Sequence, residues 1–159
     1  MKINMKTVEE KNNLINELIQ YNNDRVDGYE KVSEETGVVD TDLRALFVKM
    51  ANDSRSYRKD LGDLVTRMGG KVEAEGSVSA SIHRAWIDFK TAITGNDRSS
   101  ILSSCEFGEN AILTAYDAVL ADTESFIAEE LAVVSEQRNG LGNSSEAITN
   151  YKKLNEAVK

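Results

Sequence analysis

The stretch LRALFVKMANDSRSYRKDLGDLVTRM, residues 43–68, decides the fold. Its apolar side chains recur at alternating spacings of three and four residues, and this period indicates a helix with one buried stripe. Asp40 or Thr41 precedes the helix as an N-cap, and Gly69-Gly70 follows it as a stop signal. The predicted seam consists of Leu43, Phe47, Met50, Ser54, Tyr57, Leu61, Leu64 and Met68.

The same period recurs on both sides of this stretch. A first helix is predicted from about Thr7 to Glu35, and Thr7 with Glu10 forms a capping box at its start. A third helix is predicted from Asp97 to about Ala121, with a seam of Leu102, Cys105, Glu109, Ile112, Tyr116 and Val119. A fourth is predicted to begin after Asp122 or Thr123, with a seam of Ile127, Glu130, Val134, Gln137, Leu141, Ser144, Ile148 and Tyr151.

One stretch of the fourth helix is ambiguous. Asn139–Ser145 contains Gly140, Gly142 and Asn143, which are poor helix formers, yet the apolar period continues across it. We predict one continuous helix, and the alternative is a break near Gly140 with a separate tail helix.

The connections indicate the order of packing. Short links join helices one to two and three to four, so each pair is expected to form an antiparallel hairpin. The middle link, about residues 69–96, is long and is predicted to carry a short amphipathic helix over 79–94. Two hairpins with a long crossover are the ferritin-like arrangement among four-helix bundles. We therefore predict an all-α, ferritin-like four-helix bundle that forms a single domain over residues 1–159.

Composition excludes several classes of protein. The 159 residues carry a net charge of −8, which opposes nucleic-acid binding, and no apolar stretch is long enough to span a membrane. Cys105 is the single cysteine, so an internal disulfide is excluded and a reducing, cytoplasmic location is expected. Proline is absent, which suits long uninterrupted helices.

Several segments resemble an uncharacterised bacterial family. They are residues 81–90 (SIHRAWIDFK), residues 105–111 (CEFGENA) with Ala115-Tyr116, and Asn23-Asp24 with Gly28-Tyr29-Glu30. The family is the domain of unknown function 2383, whose members are described as ferritin-like four-helix-bundle proteins. The resemblance extends over about residues 12–155, and it implies the fold without any established activity.

Polar residues on the predicted seams are the candidates for chemistry. Glu109, Glu130 and Gln137 lie on seams, and Glu30 lies one position away from one. In the first interpretation, the three glutamates converge on a cation such as calcium, zinc or iron. In the second, which we favour, they pair with arginines or tyrosines, and Arg25 is the expected partner of Glu109.

A standard di-iron site is not encoded. Such a site needs Glu-x-x-His pairs, and this sequence contains none. The sole histidine, His83, lies in the predicted crossover helix beside Arg84 and Trp86, where a packing role is favoured over a ligand or proton-transfer role. Cys105 on an apolar seam is expected to act as a small hydrophobic residue.

These observations favour a non-enzymatic bundle of the interaction or stress-associated kind, without a cofactor. We expect a homo-oligomer, such as a dimer through helices one and two, with neither nucleic acid nor membrane as a partner. The alternative is a degenerate ferritin-like protein that binds iron, zinc or manganese through Glu30, Glu109 and Glu130.

Overall fold

The computed structural model describes residues 5–34, 41–73 and 98–157. These residues form four α-helices and no strand: α1 Val8–Glu34, α2 Thr41–Arg67, α3 Arg98–Leu120 and α4 Ala128–Ala157. The predicted all-α four-helix bundle is confirmed. The short helix predicted over residues 79–94 lies outside the described residues. Within the described residues, none of the helices has the length and apolar character required to cross a bilayer.

The first helix begins at the predicted capping box. The backbone N–H of Thr7 donates to Glu10 Oε1 at 3.1 Å, and the N–H of Glu10 donates to Thr7 Oγ1 at 3.1 Å. These two reciprocal bonds satisfy donors that the first helical turn leaves without intrahelical partners. The local sequence therefore fixes where α1 starts.

The second helix ends at the predicted glycine pair. Gly69 has a φ of 85°, in the left-handed region that glycine adopts without steric cost. Its N–H donates to the carbonyl of Thr66 at 3.1 Å, and the N–H of Gly70 donates to the carbonyl of Val65 at 2.9 Å. This pair of bonds is the Schellman motif, which satisfies carbonyls at the helix end and turns the chain away.

The helices α1 and α2 form an antiparallel hairpin, as predicted. Near one end, Arg44 Nε donates to the carbonyl of Ser33 at 2.9 Å. Near the other end, Asn16 Nδ2 donates to the carbonyl of Lys71 at 3.0 Å.

The helices α3 and α4 form the second antiparallel hairpin. Arg138 Nε donates to Asp117 Oδ1 at 2.8 Å, and Lys152 Nζ donates to Glu106 Oε1 at 3.1 Å. The later residue of α4 thus contacts the earlier residue of α3.

The two hairpins pack with α1 antiparallel to α3. Asn22 Nδ2 contacts Tyr116 Oη at 2.9 Å, and the later residue Arg25 contacts the earlier residue Glu109, with Nη2 and Oε1 separated by 2.6 Å. It follows that α2 and α3 run parallel. The C-terminal end of α2 and the N-terminal end of α3, which the middle link joins, therefore lie at opposite ends of the bundle.

The chain leaving α2 lies against α1 through backbone contacts. Asn16 donates to the carbonyl of Lys71 at 3.0 Å and accepts from the N–H of Glu73 at 3.0 Å. One turn further along α1, Gln20 Nε2 donates to the carbonyl of Glu73 at 2.8 Å. We call Asn16 and Gln20 the amide row. Both are buried, at 4% and 7% exposure, although residues 71–73 are exposed.

The predicted start of α4 is wrong by several residues. We expected the helix to begin after Asp122 or Thr123, but it begins at Ala128. Asp122 instead accepts from the N–H of Ser125 at 3.2 Å, which closes a turn. The hydroxyl of Ser125 accepts from the backbone N–H of Lys6 at 2.8 Å, so the N-terminal segment holds this turn against the bundle.

The assignment of Ile127 to the buried seam is also wrong. Ile127 is 60% exposed, whereas its neighbour Phe126 is 3% exposed and joins the core. Lys11 Nζ lies 5.2 Å from the centroid of the Phe126 ring, a cation–π contact. Both residues precede the helix, which begins at Ala128, so they do not follow its period and Phe126 takes the buried position.

The helix α4 continues through its glycines, as predicted. It spans 30 residues without a break, and Leu141 within the ambiguous stretch is fully buried. Gly140 has a packing role, because a Cβ atom at this position would lie 2.1 Å from the hydroxyl oxygen of Tyr57. The missing side chain allows the Tyr57 phenol to contact the backbone of α4.

Candidate functional site

A buried ion pair joins the two hairpins at the centre of the bundle. Arg25 on α1 and Glu109 on α3 are both completely buried, with 0% exposure. Arg25 Nη2 donates to Glu109 Oε1 at 2.6 Å, and Arg25 Nε donates to Glu109 Oε2 at 2.9 Å. This bidentate geometry matches the planar guanidinium to the carboxylate. The predicted pairing of Glu109 with Arg25 is confirmed.

The helix α2 accepts two further hydrogen bonds from the guanidinium. Arg25 Nη1 donates to Ser54 Oγ at 2.9 Å and to the carbonyl of Met50 at 3.2 Å. The guanidinium carbon also lies 5.5 Å from the ring centroid of Tyr29, within the range of a cation–π contact. A buried charge is tolerated only when it is paired and hydrogen-bonded, and Arg25 meets both conditions.

The electrostatics of this centre keep Arg25 charged and its neighbours Tyr29 and Cys105 neutral. Burial by itself lowers the pKa of Arg25, but the charge and hydrogen bonds of Glu109 outweigh it and raise that pKa above its ordinary value. Burial, reinforced by the charge of Glu109, raises the pKa of Tyr29 and of Cys105 well above their ordinary values. At neutral pH the phenol and the thiol are therefore protonated, and neither is an activated nucleophile.

A second polar network crosses the bundle through Gln137, one of the predicted candidates. Asn22 Nδ2 donates to Tyr116 Oη at 2.9 Å, and Tyr116 Oη donates to Gln137 Oε1 at 2.7 Å. Gln137 Nε2 then donates to the carbonyl of Tyr57 at 3.1 Å. The network takes one group from each helix. Burial raises the pKa of Tyr116, so its hydroxyl stays a neutral donor and acceptor.

The other two predicted carboxylates lie elsewhere. Glu30 is exposed on α1 and pairs with Arg55, with Glu30 Oε2 and Arg55 Nη2 separated by 2.6 Å. Glu130 lies at the start of α4, where its Oε1 accepts from the N–H of Ile127 at 2.8 Å and from Lys11 Nζ at 3.0 Å. Each carboxylate thus has its own cationic partner, and the structure does not bring Glu30, Glu109 and Glu130 together.

A metal ion does not fit the donor set at the bundle centre as it stands. Both oxygens of Glu109 accept hydrogen bonds from Arg25, whose positive charge occupies the place next to the carboxylate. In the part of the chain that the structure describes, no group of three or more His, Cys, Asp or Glu side chains is placed to hold a metal ion. His83, Arg84 and Trp86 lie outside the described residues.

Two open grooves lie on the surface of the described helices. One, of about 430 Å³, follows α1 and is lined by Lys6, Glu10, Glu17, Gln20 and Glu73, among others. The second, of about 300 Å³, lies between α2 and α4 and exposes the edge of the Tyr57–Gln137 contact among Asp60, Glu136 and neighbouring residues. Both mix acidic and basic side chains, and neither reaches the Arg25–Glu109 pair.

Sequence reasoning missed several polar residues in the core. Asn16, Gln20 and Asn22 are buried on α1, and none was singled out. Asn16 and Gln20 are four residues apart and therefore share one face of a helix, which was the available signal. Asn22 gave no signal, because its role depends on Tyr116 of α3.

A known protein family covers most of this structure. The family described as "Domain of unknown function (DUF2383)" matches residues 10–122. The chain belongs to this family. The DUF2383 match includes α2, α3 and nearly all of α1, and with them the Arg25–Glu109 pair. It ends before α4, so it is shorter than the resemblance over residues 12–155 that we expected. No curated protein matches the chain.

Proposed function

We propose that this DUF2383 protein is a non-enzymatic helical bundle of the interaction or stress-associated kind. One observation carries the proposal: both oxygens of Glu109 are bound by Arg25. The central carboxylate therefore serves to hold two hairpins together, and its complete burial keeps it away from a substrate in solution. The protonated Cys105 and Tyr29 beside it support the same conclusion, because reactive groups at a catalytic centre need matched pKa values.

We extend the proposal to the type of four-helix bundle, the cellular location and the binding partners. Parallel α2 and α3 support a ferritin-like arrangement with a long crossover. The single, buried Cys105 supports a cytoplasmic location. The net charge of −8 disfavours nucleic acid and an anionic membrane surface, so the proposed partners are proteins.

The competing proposal is a degenerate metal-binding protein that holds iron, zinc or manganese through Glu30, Glu109 and Glu130. It requires Arg25 to release Glu109 and the three carboxylates to approach one another. Elemental analysis separates the two proposals, using protein purified without a metal-affinity tag and dialysed against metal-free buffer. We expect far less than one ion per chain.

Stoichiometric metal that is lost in a Glu109→Ala variant would overturn the non-enzymatic proposal. Because this variant also breaks the buried ion pair, Glu130→Gln and Glu30→Gln serve as matched variants that leave that pair intact. Loss of the metal in all three variants would establish the carboxylate site. An ion retained in every variant would place the metal elsewhere, and it would also overturn the proposal.

A further inference from the structure

The outward face of α3 has an unusual composition for this acidic protein. Ser103, Phe107, Asn110, Thr114 and Ala118 are all exposed and follow one another at helical spacing, and we call them the α3 face. None of the five is charged. Phe107 is 60% exposed, which is uncommon for an aromatic side chain without a partner. The α3 face therefore offers one large apolar side chain surrounded by small uncharged ones.

The charged residues beside the α3 face are already neutralised. Glu106 pairs with Lys152 of α4, with 3.1 Å between Oε1 and Nζ, and Asp117 pairs with Arg138 of α4, with 2.8 Å between Oδ1 and Nε. Both pairs lie on the side of α3 that faces α4. Among the described residues of α3, both carboxylates beside the α3 face therefore already have a cationic partner when a second molecule approaches.

The outward side of α2 differs. It carries alternating charges, represented by the pairs Lys49–Asp53 and Lys59–Asp63. Burying charges of this kind in an interface is costly unless each finds a partner. The net charge of −8 makes two copies repel each other in general, so an uncharged face is where they approach at the lowest electrostatic cost.

We propose that two copies of the chain associate through the α3 face, with their α3 helices antiparallel about a two-fold axis between Asn110 and Ala111. This proposal rests on the interaction role proposed above, and it places the contact on α3 instead of on helices one and two. Four of the five positions of the α3 face pair with one another across that axis, and Asn110 lies next to it. Phe107 then meets Thr114 of the other copy, and Ser103 meets Ala118, so the large side chain faces a smaller one.

The size of the α3 face limits the expected affinity of the dimer. From residue 103 to residue 118 a helix rises about 22 Å, at about 1.5 Å per residue. One helix face of this length buries less than the roughly 800 Å² per partner of a standard stable interface. We therefore expect a reversible dimer with a dissociation constant in the micromolar range or weaker, so the measurements need high protein concentration.

Cysteine crosslinking tests the geometry. Asn110→Cys places two thiols next to the two-fold axis, and we expect this variant to form a disulfide-linked dimer under mild oxidation. Ala118→Cys is the matched control: it is on the same exposed face, but the axis separates its two copies by about 22 Å, too far for a disulfide. A mixture of Ser103→Cys and Ala118→Cys chains is expected to crosslink. Equal crosslinking of Asn110→Cys and Ala118→Cys would overturn the proposed axis.

Sedimentation equilibrium tests the surface independently of the crosslink. We expect the wild-type chain to approach twice its 17.6 kDa mass at high concentration, and Phe107→Asp to shift dissociation by at least tenfold. Val48→Asp, at a position 44% exposed on α2, is the control and should leave the mass unchanged. A wild-type chain that stays monomeric, or a dimer lost in Val48→Asp but kept in Phe107→Asp, would overturn the proposal. Neither result bears on the metal content that tests the proposed function.

Discussion

The buried pair of Arg25 and Glu109 makes the strongest prediction about stability. Replacing Glu109 by glutamine keeps the size of the side chain and removes its charge. The guanidinium of Arg25 then remains buried at 0% exposure without a counter-ion. Breaking a buried ion pair by removing one partner typically costs about 3–5 kcal/mol. Domains of this kind are stable by about 5–15 kcal/mol in total, so the loss is a large share of the free energy of unfolding.

Urea unfolding followed by circular dichroism measures this loss directly. We expect Glu109→Gln to lower the free energy of unfolding by about 3–5 kcal/mol, and the melting temperature by about 10 °C. The control is Glu30→Gln, because the Glu30–Arg55 pair is half exposed and surface pairs contribute about 0–1 kcal/mol. A loss below about 1 kcal/mol in Glu109→Gln would refute the reasoning, since the pair would then be hydrated.

A double variant separates the ion pair from simple packing. Arg25→Met with Glu109→Leu removes both charges and keeps apolar volume in the core. Apolar replacement of a whole buried ion pair is often neutral or stabilising, so this variant should be more stable than Glu109→Gln alone. If the double variant loses as much free energy of unfolding as Arg25→Met and Glu109→Leu lose together when made singly, the two side chains are not coupled.

Three further predictions concern other parts of the bundle. Gly140→Ala should destabilise the chain by about 1–3 kcal/mol in urea unfolding, because the new Cβ would lie 2.1 Å from the Tyr57 hydroxyl oxygen, and this outweighs the better helix propensity of alanine. Adding Tyr57→Phe should relieve this loss. A Gly140→Ala variant that is more stable than the wild type would contradict the packing. Hydrogen bonds from Thr7 lower the pKa of Glu10 in the folded state. The ionised Glu10 carboxylate therefore stabilises the fold above its unfolded-state pKa of about 4.3, and this stabilisation is lost as the pH falls through the folded-state pKa. Unfolding measured from pH 6 to pH 3 should therefore depend less on pH in Glu10→Gln, and identical profiles would contradict the capping box. Burial raises the pKa of Cys105, so a thiol reagent should modify it only as fast as the chain opens, and rapid modification of the native protein would contradict its burial.

Local sequence signals predicted the fold better than the site. The start of α1 at Thr7 and Glu10 and the end of α2 at Gly69-Gly70 depend on bonds between residues close in sequence, so both could be predicted without knowing the fold. The α2 seam was readable for the same reason, because a helix repeats its own geometry. The start of α4 was not, since Ser125 is bound by Lys6 from the distant N-terminal segment.

The contacts of the candidate site were harder to predict, because they depend on which residues of different helices meet. The pairing of Arg25 with Glu109 was predicted because a charge on an apolar seam demands a counter-charge, and few were available. The partner of Glu130 was not predicted, because Lys11 reaches it only after the α1 and α4 ends are placed side by side. The Asn22–Tyr116–Gln137 network similarly needs three helices in register.

The amide row has a consequence for how this chain tolerates variation. Asn16 and Gln20 bond to main-chain atoms of Lys71 and Glu73, and both of those residues are exposed. The bonds use the carbonyls of Lys71 and Glu73 and the N–H of Glu73, so most side chains can replace Lys71 without disturbing the contact. An insertion or deletion of a single residue here would move every carbonyl out of reach. The segment thus tolerates changes of side chain but not changes of length. A library of substitutions in residues 71–73 should therefore contain many more folded variants than a library of single-residue insertions there.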